Sequence, residues 1–182
     1  MVNKLQNAIL VNHSNLVRQT TLTLIGMLVI AVSAQLSIPL QPVPLTFQGA
    51  TVVLIGLAFG ARIGASAVLT YLLAGALGAP VFANFSFGIH TLLGPTGGYL
   101  LGFLPAAALA GYLAESGFAR NFLTCCLAAL CSTAVLFTSG YFVLAIYIGF
   151  HKAFLFGIKP FVLVDSFKVV ILSLLVPRFW KK

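Results

Sequence analysis

The stretch Lys159-Pro-Phe-Val-Leu-Val-Asp-Ser-Phe-Lys168 places an acid, Asp165, and a base, Lys168, within a segment that is otherwise apolar enough to cross a membrane. On a helix, residues three apart share one face, so the two charges can neutralise each other or point together at a third group. A lone charge at the bilayer centre costs about 2.5 to 3.5 kcal/mol, so ionisable residues there usually mark a functional site. The stretch therefore predicts a membrane helix that carries a binding site, with a purely structural ion pair as the alternative.

The rest of the chain has the composition of a helical membrane protein. Of its 182 residues, 60% are hydrophobic and 7% are charged, and the mean hydropathy is +1.10. Three intervals contain no Asp, Glu, Lys or Arg: 19–61, 63–114 and 121–151. Because about 20 apolar residues are enough to cross the hydrocarbon layer, the composition predicts an all-α integral membrane protein with several spans.

Proline, glycine and polar residues divide the apolar sequence into six predicted transmembrane helices, which we expect to form a single membrane domain over 1–182. The predicted helices cover 16–38, 48–59, 63–77, 96–114, 122–148 and 160–176. Between them, 39–46 is Pro-rich, 81–95 is predicted to be a folded loop and 149–159 a basic turn. The segment 48–59 is short for a full crossing, so the Pro-rich stretch before it is expected to dip into the protein at membrane depth.

The basic residues predict that both termini lie in the cytoplasm of a multi-pass protein of the plasma or inner membrane. Six spans place the termini on one side, and most Lys and Arg residues fall on that side, which the positive-inside rule assigns to the cytoplasm. The residues on that side are Lys4, Arg18, Arg62, Arg120, Arg178, Lys181 and Lys182, against Lys152 and Lys159 opposite. The loops 39–46 and 81–95 would then meet Asp165 at the outer face.

The fourth predicted helix carries a stripe of small residues. Gly or Ala recurs every four residues from Gly94 to Ala114. In lipid, such a stripe lets helix backbones approach closely. We expect it to pack within the chain, with an oligomer or partner interface, including a homo-oligomer, as the alternative.

Polar residues of the outer loops are candidates to complete a pocket around the charged pair. A carboxylate accepts N–H groups and an ammonium binds a carboxylate, while small-molecule pockets combine mostly apolar walls with a few placed polar groups. The predicted substrate-binding residues are Asp165, Lys168, Asn84, Gln48, Tyr99, Thr96 and the backbone amides of Gly97 and Gly98.

Other function classes have weak support. The basic residues are scattered singly, which argues against nucleic-acid binding. The three cysteines lie in an apolar run without nearby His or acid, so no metal site is expected. With only two acidic residues, paired-carboxylate catalysis is excluded. An intramembrane hydrolase built on Ser139 with His151 or His90 is the remaining enzyme alternative, although no catalytic signature surrounds these residues.

Several sequence blocks, in order, resemble the BioY family, the biotin-specific S components of energy-coupling-factor (ECF) transporters. The blocks are Ser37-Ile-Pro-Leu40, Pro42-Val-Pro-Leu-Thr-Phe-Gln48, Gly78-Ala-Pro-Val-Phe-Ala83, Leu93-Gly-Pro-Thr-Gly-Gly-Tyr-Leu-Leu-Gly-Phe103, and Lys159-Pro-Phe with Asp165 and Lys168. The Gly-Pro-Thr-Gly-Gly-Tyr block is the most specific of them.

The resemblance implies a six-helix S-component fold that binds biotin tightly from the outer face, as transported ligand and not as cofactor. Asp165 would accept the ureido N–H groups of biotin, Lys168 would pair with that acid or with the ligand, and Asn84 would add a polar contact. The family's partners are a transmembrane coupling protein and two cytoplasmic ATPases, and the chain itself has no G-x-x-x-x-G-K-[ST] loop. The first helix departs from the family's alanine stripe, since Met27, Ile30 and Gln35 interrupt it. An S component for another small vitamin is the alternative.

Overall fold

A computed structural model describes the backbone of residues 2–180 and the side chains of 15–178 and 180. The side chains of Lys4, Lys181 and Lys182, which contributed to the predicted orientation, lie outside the described residues.

Helices and one short hairpin make up the described part of the chain. The elements, in order, are α1 Val2–Gln35, β1 Ser37–Ile38, β2 Leu45–Thr46, α2 Gln48–Phe59, α3 Ala61–Ala76, α4 Ile89–Leu92, α5 Gly97–Glu115, α6 Phe122–Ile148, α7 Phe150–Gly157, α8 Lys159–Leu175 and α9 Pro177–Trp180. Single 3₁₀ turns lie at Ala83–Phe85 and Phe118–Arg120. Within these described residues, α5, α6 and the Asn15–Gln35 part of α1 are long and apolar enough to span a membrane, while α2 and α3 are shorter apolar helices.

Most helix boundaries lie close to the predicted ones, but the first helix begins at Val2 and not at 16. The helices over 48–59 and 122–148 begin and end at the predicted residues. The first helix ends at Gln35 and not at 38, because Ser37 and Ile38 pair in antiparallel register with Thr46 and Leu45. Val43 and Leu45 of this hairpin are buried, as expected for a Pro-rich segment that enters the protein.

The prediction of a basic turn over 149–159 is wrong, because eight of its residues form helix α7. Gly149, at φ +82°, separates α7 from α6. Ala153 and Gly157, four residues apart, are buried on one face while Phe150 and Phe154 are exposed. An amphipathic helix of two turns between glycines resembles a turn when only charge and glycine are considered.

The loop over 81–95 contains more helical structure than predicted. A 3₁₀ turn covers Ala83–Phe85, and the single turn α4 covers Ile89–Leu92. Asn84 and Phe85 have positive φ values of 56° and 55°, so the backbone reverses sharply there. The remainder is irregular, as expected.

Helix α5 lies at the centre of the bundle and packs most extensively against α6, α2 and α3. Its small-residue stripe makes these contacts, which confirms packing within the chain. A Cβ on Gly98 would lie 2.5 Å from the Val143 Cβ of α6, and one on Gly102 would lie 2.9 Å from the Ser139 Cβ. Ala106 and Ala110 are fully buried. Close approach of backbones gives dispersion contacts that replace the hydrophobic effect in lipid.

Gly56 lies where α2, α3 and α5 meet. A Cβ at this position would lie 2.9 Å from the Ala110 Cβ and 3.2 Å from the Ala107 carbonyl carbon. From α3, a Cβ on Gly64 would lie 2.9 Å from the Cα of Gly56. The crossing therefore has no room for a methyl group.

We expect Gly56→Ala to destabilise the protein by about 1–3 kcal/mol, because α2 must move away from the α5 backbone. The measurement is the thermal denaturation midpoint in detergent. Gly49→Ala is the matched control in the same helix, since its nearest neighbour would be the Leu136 Cδ1 at 3.4 Å, an ordinary contact. Equal midpoints for the two variants would show that the crossing is not tightly packed.

Candidate functional site

A cavity of ≈ 270 Å³ lies between the β1–β2 hairpin, the 81–95 loop and helices α5, α6 and α8. Its polar lining comes from Thr46, Gln48, Asn84, Ser86, Thr91, Thr96, Tyr99 and Asp165, and its apolar lining includes Val43, Phe82, Leu100, Phe103, Leu136, Phe137 and Phe161. Asp165 is the one charged residue among the described residues that line it. The cavity therefore combines an apolar enclosure with a single acid, the composition typical of a small-molecule site.

The charged pair on α8 forms a salt bridge, one of the two arrangements that the three-residue spacing allows. Lys168 Nζ lies 2.9 Å from Asp165 Oδ1, and both residues are buried. Lys168 Nζ also donates to the Thr46 carbonyl at 2.8 Å and lies 5.2 Å from the centre of the Phe47 ring. These contacts compensate much of the cost of a buried ammonium and fix the hairpin onto α8.

Asp165 keeps one oxygen for the cavity. Its Oδ1 accepts from Lys168, while Oδ2 accepts no hydrogen bond from any residue whose side chain the structure describes. Oδ2 is also not a fully buried atom, and Asp165 lines the cavity. The carboxylate is thus held in place by one oxygen and offers the other as a strong acceptor for ligand N–H groups.

Gln48 is fixed at the wall of the same cavity. Its Nε2 donates to the hydroxyl of Tyr71, which is fully buried and donates in turn to the Val81 carbonyl at 3.1 Å. Its Oε1 accepts from the Thr46 hydroxyl at 3.3 Å. Because both ends of the amide are engaged, Gln48 connects the hairpin to α3 and to the start of the 81–95 loop.

Gln35, which the sequence showed only as an interruption of a small-residue stripe, holds the 81–86 segment over the cavity. Its Nε2 donates to the carbonyls of Phe82 at 3.1 Å and Val81 at 3.5 Å, and its Oε1 accepts from the Phe85 N–H at 3.1 Å. Next to it, the Ser37 hydroxyl donates to Asn84 Oδ1 at 3.0 Å. No local signal reveals this role, because the partners lie far along the chain.

Asn84 is presented to the cavity by this segment. Its Oδ1 is engaged by Ser37, and its Nδ2 donates to no other described side chain or backbone group. The residue lies in left-handed conformation, which Asn tolerates better than most residues. An amide donor and the Asp165 acceptor therefore line the same cavity.

Tyr99 lines the cavity and joins three helices. Its hydroxyl donates to the Gly157 carbonyl of α7 at 2.8 Å, and its ring lies against the backbone at Gly140 of α6. It also makes an edge contact with Phe137 at 6.1 Å between ring centres. Because its hydroxyl already has a partner, Tyr99 offers the cavity mainly its ring.

Three predicted site residues lie beside the cavity and not in its lining. Lys168 is turned toward Asp165 and Thr46. Gly97 donates its N–H to the Gly94 carbonyl at 2.9 Å, and Gly98 is buried against α6. Thr96, in contrast, does line the cavity.

The alternative hydrolase residues do not form a site. Ser139 donates its hydroxyl to the Val135 carbonyl at 3.0 Å, as helical serines commonly do. His90 and His151 are exposed and line no part of the cavity. Among the residues searched, no group of three or more His, Cys, Asp or Glu could hold a metal ion.

Comparison with known proteins identifies close relatives over nearly the full chain. The model of the BioY family matches residues 3–182. The chain is 38% identical to the probable biotin transporter BioY of Pyrococcus horikoshii, covering 88% of this chain and 95% of the relative. It is 42% identical to the biotin transporter BioY of Thermotoga maritima, covering 84% and 89%.

The fold also matches a solved structure. A crystal structure of the S-component for biotin from an ECF-type ABC transporter superposes with a TM-score of 0.84, covering 93% of this chain and 94% of that one at 22% identity. The described residues therefore have the S-component fold.

Proposed function

The chain belongs to the BioY family, and from this membership and the geometry of the cavity we propose that it binds biotin as the substrate-specific component of an ECF-type transporter. The observation that carries the proposal is the state of Asp165, with one oxygen held by Lys168 and the other available in an apolar cavity. Such a cavity favours a largely apolar ligand that carries N–H donors at one end.

Biotin has the chemistry that these groups complement. Its cyclic urea supplies two N–H donors and one carbonyl acceptor, and its sulfur-containing ring and hydrocarbon chain are apolar. We assign one urea N–H group to Asp165 Oδ2 and the ring to the aromatic walls formed by Phe137, Phe161 and Tyr99. Asn84 Nδ2 is then a donor for an oxygen of the ligand. The cavity volume of ≈ 270 Å³ lies at the lower end of small-molecule pockets, which start at roughly 300 Å³. It therefore suits a compact ligand of this kind.

Equilibrium binding of radiolabelled biotin to the detergent-purified protein tests this assignment. We expect saturable binding that unlabelled biotin displaces and that excess riboflavin or thiamine leaves unchanged. Displacement by one of those vitamins in preference to biotin would move the protein to another substrate. Absence of binding by folded protein would return Asp165 and Lys168 to a structural ion pair.

We further propose that transport requires a membrane coupling protein and cytoplasmic ATPases, since the chain carries no phosphate-binding loop of its own. Reconstitution in liposomes tests this. Uptake of labelled biotin should require the partner proteins and ATP inside the liposome. Uptake at the same rate by the purified chain alone would contradict the need for partners.

The orientation that fits this role has both termini in the cytoplasm and the whole chain in one membrane domain. The positions of the basic residues support this orientation. Arg18 lines a groove with Gly60, Glu115 and Trp180 at one end of the bundle, whereas Lys152 lies in α7 at the end that contains the cavity. A Lys152→Cys variant in whole cells should react with a membrane-impermeant maleimide. The chain's own cysteines supply the background, which the unchanged protein measures. Labelling only after cell lysis would show that Lys152 faces the cytoplasm, which contradicts the proposed orientation.

A further inference from the structure

A second cavity, of ≈ 200 Å³, lies at the end of α6 and α8 away from the biotin site. Its lining combines two arginines with apolar groups of membrane-spanning helices. Arg120, Asn121 and Phe122 contribute from the 3₁₀ turn and the start of α6 that follows it, and Leu174 and Arg178 from the end of α8 and from α9. Nothing in the proposed transport function uses these residues.

The two guanidinium groups have no anion within the described part of the chain. Neither Arg120 nor Arg178 forms an ion pair or donates a side-chain hydrogen bond to a described residue. The sequence contains only two acids, and both are engaged elsewhere. Asp165 pairs with Lys168, and Glu115 accepts from the Ala61 N–H at 2.9 Å in a different groove. Both arginines are exposed, so the pair is free to receive an anion from outside this part of the chain.

The same cavity has an apolar side that faces the membrane. Leu174 is 57% exposed and Phe122 is 40% exposed, and both flank the arginines in the lining. On helices that cross a bilayer, large exposed apolar side chains contact acyl chains. A ligand of this cavity thus meets two positive charges at one end and hydrocarbon at the other.

We propose that this cavity binds the phosphate group of an anionic phospholipid, with Arg120 and Arg178 on the phosphate and the acyl chains against Phe122 and Leu174. Arginine is suited to phosphate because its planar fork donates two parallel hydrogen bonds. Basic pockets between membrane helices are known sites for anionic headgroups. The proposal is independent of biotin binding.

The test measures lipid binding to the detergent-purified protein by native mass spectrometry, with phosphatidylglycerol, phosphatidylcholine and inorganic phosphate as separate probes. We expect phosphatidylglycerol to bind more tightly than phosphatidylcholine. The double variant Arg120→Gln/Arg178→Gln should weaken phosphatidylglycerol binding about tenfold or more. Arg18→Gln/Arg62→Gln, which removes the same charge at the same end of the bundle, should leave it within about twofold.

The remaining outcomes distinguish a specific phosphate site from general electrostatic attraction between lipid and protein. Equal loss in the two double variants would overturn the site, because attraction would then follow net charge alone. Unchanged binding in the Arg120/Arg178 variant would overturn it as well. Tight binding of inorganic phosphate that the same variant abolishes would overturn the lipid as the ligand. The cavity would then be a site for soluble phosphate. If the Gln pair unfolds, as judged by circular dichroism, Arg120→Lys/Arg178→Lys keeps the charge and should lose only the bidentate part of the affinity.

Discussion

Replacing Asp165 with Asn is expected to lower the affinity for biotin by about one to two orders of magnitude. The substitution keeps the shape of the side chain but removes its charge, so the charge-assisted hydrogen bond between Oδ2 and a urea N–H is lost or becomes a neutral one. Hydrogen bonds to a charged group contribute about 1.5–3 kcal/mol, which corresponds to this range of affinity. Asn has one acceptor oxygen where Asp has two, so it cannot offer one oxygen to the buried Lys168 ammonium and a second to the ligand at the same time. Titration of the purified variant with labelled biotin measures the effect.

Glu115→Gln is the matched control, since Glu115 is the other acid in the sequence and undergoes the same chemical change. It is exposed and caps the start of α3 through Ala61, away from the cavity. We expect its affinity for biotin to stay within about twofold of the unchanged protein. Equal affinities for the Asp165 and Glu115 variants, with both folded, would remove Asp165 from the site.

The second large effect is expected from Gln35→Ala, which removes the side chain that holds the 81–86 segment. Four hydrogen bonds involve this amide, among them those to the Phe82 carbonyl and the Phe85 N–H. A typical hydrogen bond contributes about 0.5–1.5 kcal/mol, so the loss of several loosens the segment that carries Asn84. We expect biotin to dissociate about tenfold faster, while association changes less, because a loosened segment no longer holds Asn84 in place against the bound ligand. Stopped-flow mixing of labelled biotin with the protein measures association, and displacement of the bound label by excess biotin measures dissociation.

Two further variants define the role of Gln35. Gln19→Ala changes the same residue type in the same helix, but Gln19 is exposed and lines the groove at the other end of the bundle. It should leave both rates unchanged. Gln35→Glu keeps the acceptor for Phe85 and cannot donate to the two carbonyls, so an intermediate dissociation rate is expected. Dissociation from Gln35→Ala as slow as from the unchanged protein would show that the segment needs no such anchor.

The features that were predictable from sequence are those with a local chemical signal. Hydropathy and proline located the long helices, and charge in an apolar run located Asp165 and Lys168. The polar residues expected at the outer face placed Gln48, Asn84, Thr96 and Tyr99 near that acid, and all four line the same cavity as Asp165. Their contact with ligand remains a prediction.

Features that depend on distant partners could not be predicted. Gln35 acts on residues of another loop, and α3 begins at Ala61 because Glu115 accepts its N–H from the end of α5. Helix α7 was missed because its helical pattern is only two turns long, and its attachment to the cavity through Tyr99 is tertiary. Which of Asp165 and Lys168 lines the cavity could be decided only from the structure, since the spacing alone allows either charge to face a ligand.

The most direct test of the proposed site is an experimental structure determined with bound biotin. We expect density for biotin within the cavity, with one urea nitrogen within hydrogen-bond distance of Asp165 Oδ2 and with Lys168 still bound to Oδ1. The 81–86 segment should cover the ligand and remain attached to Gln35. Biotin bound elsewhere on the protein, or with its urea directed away from Asp165, would contradict the assignment.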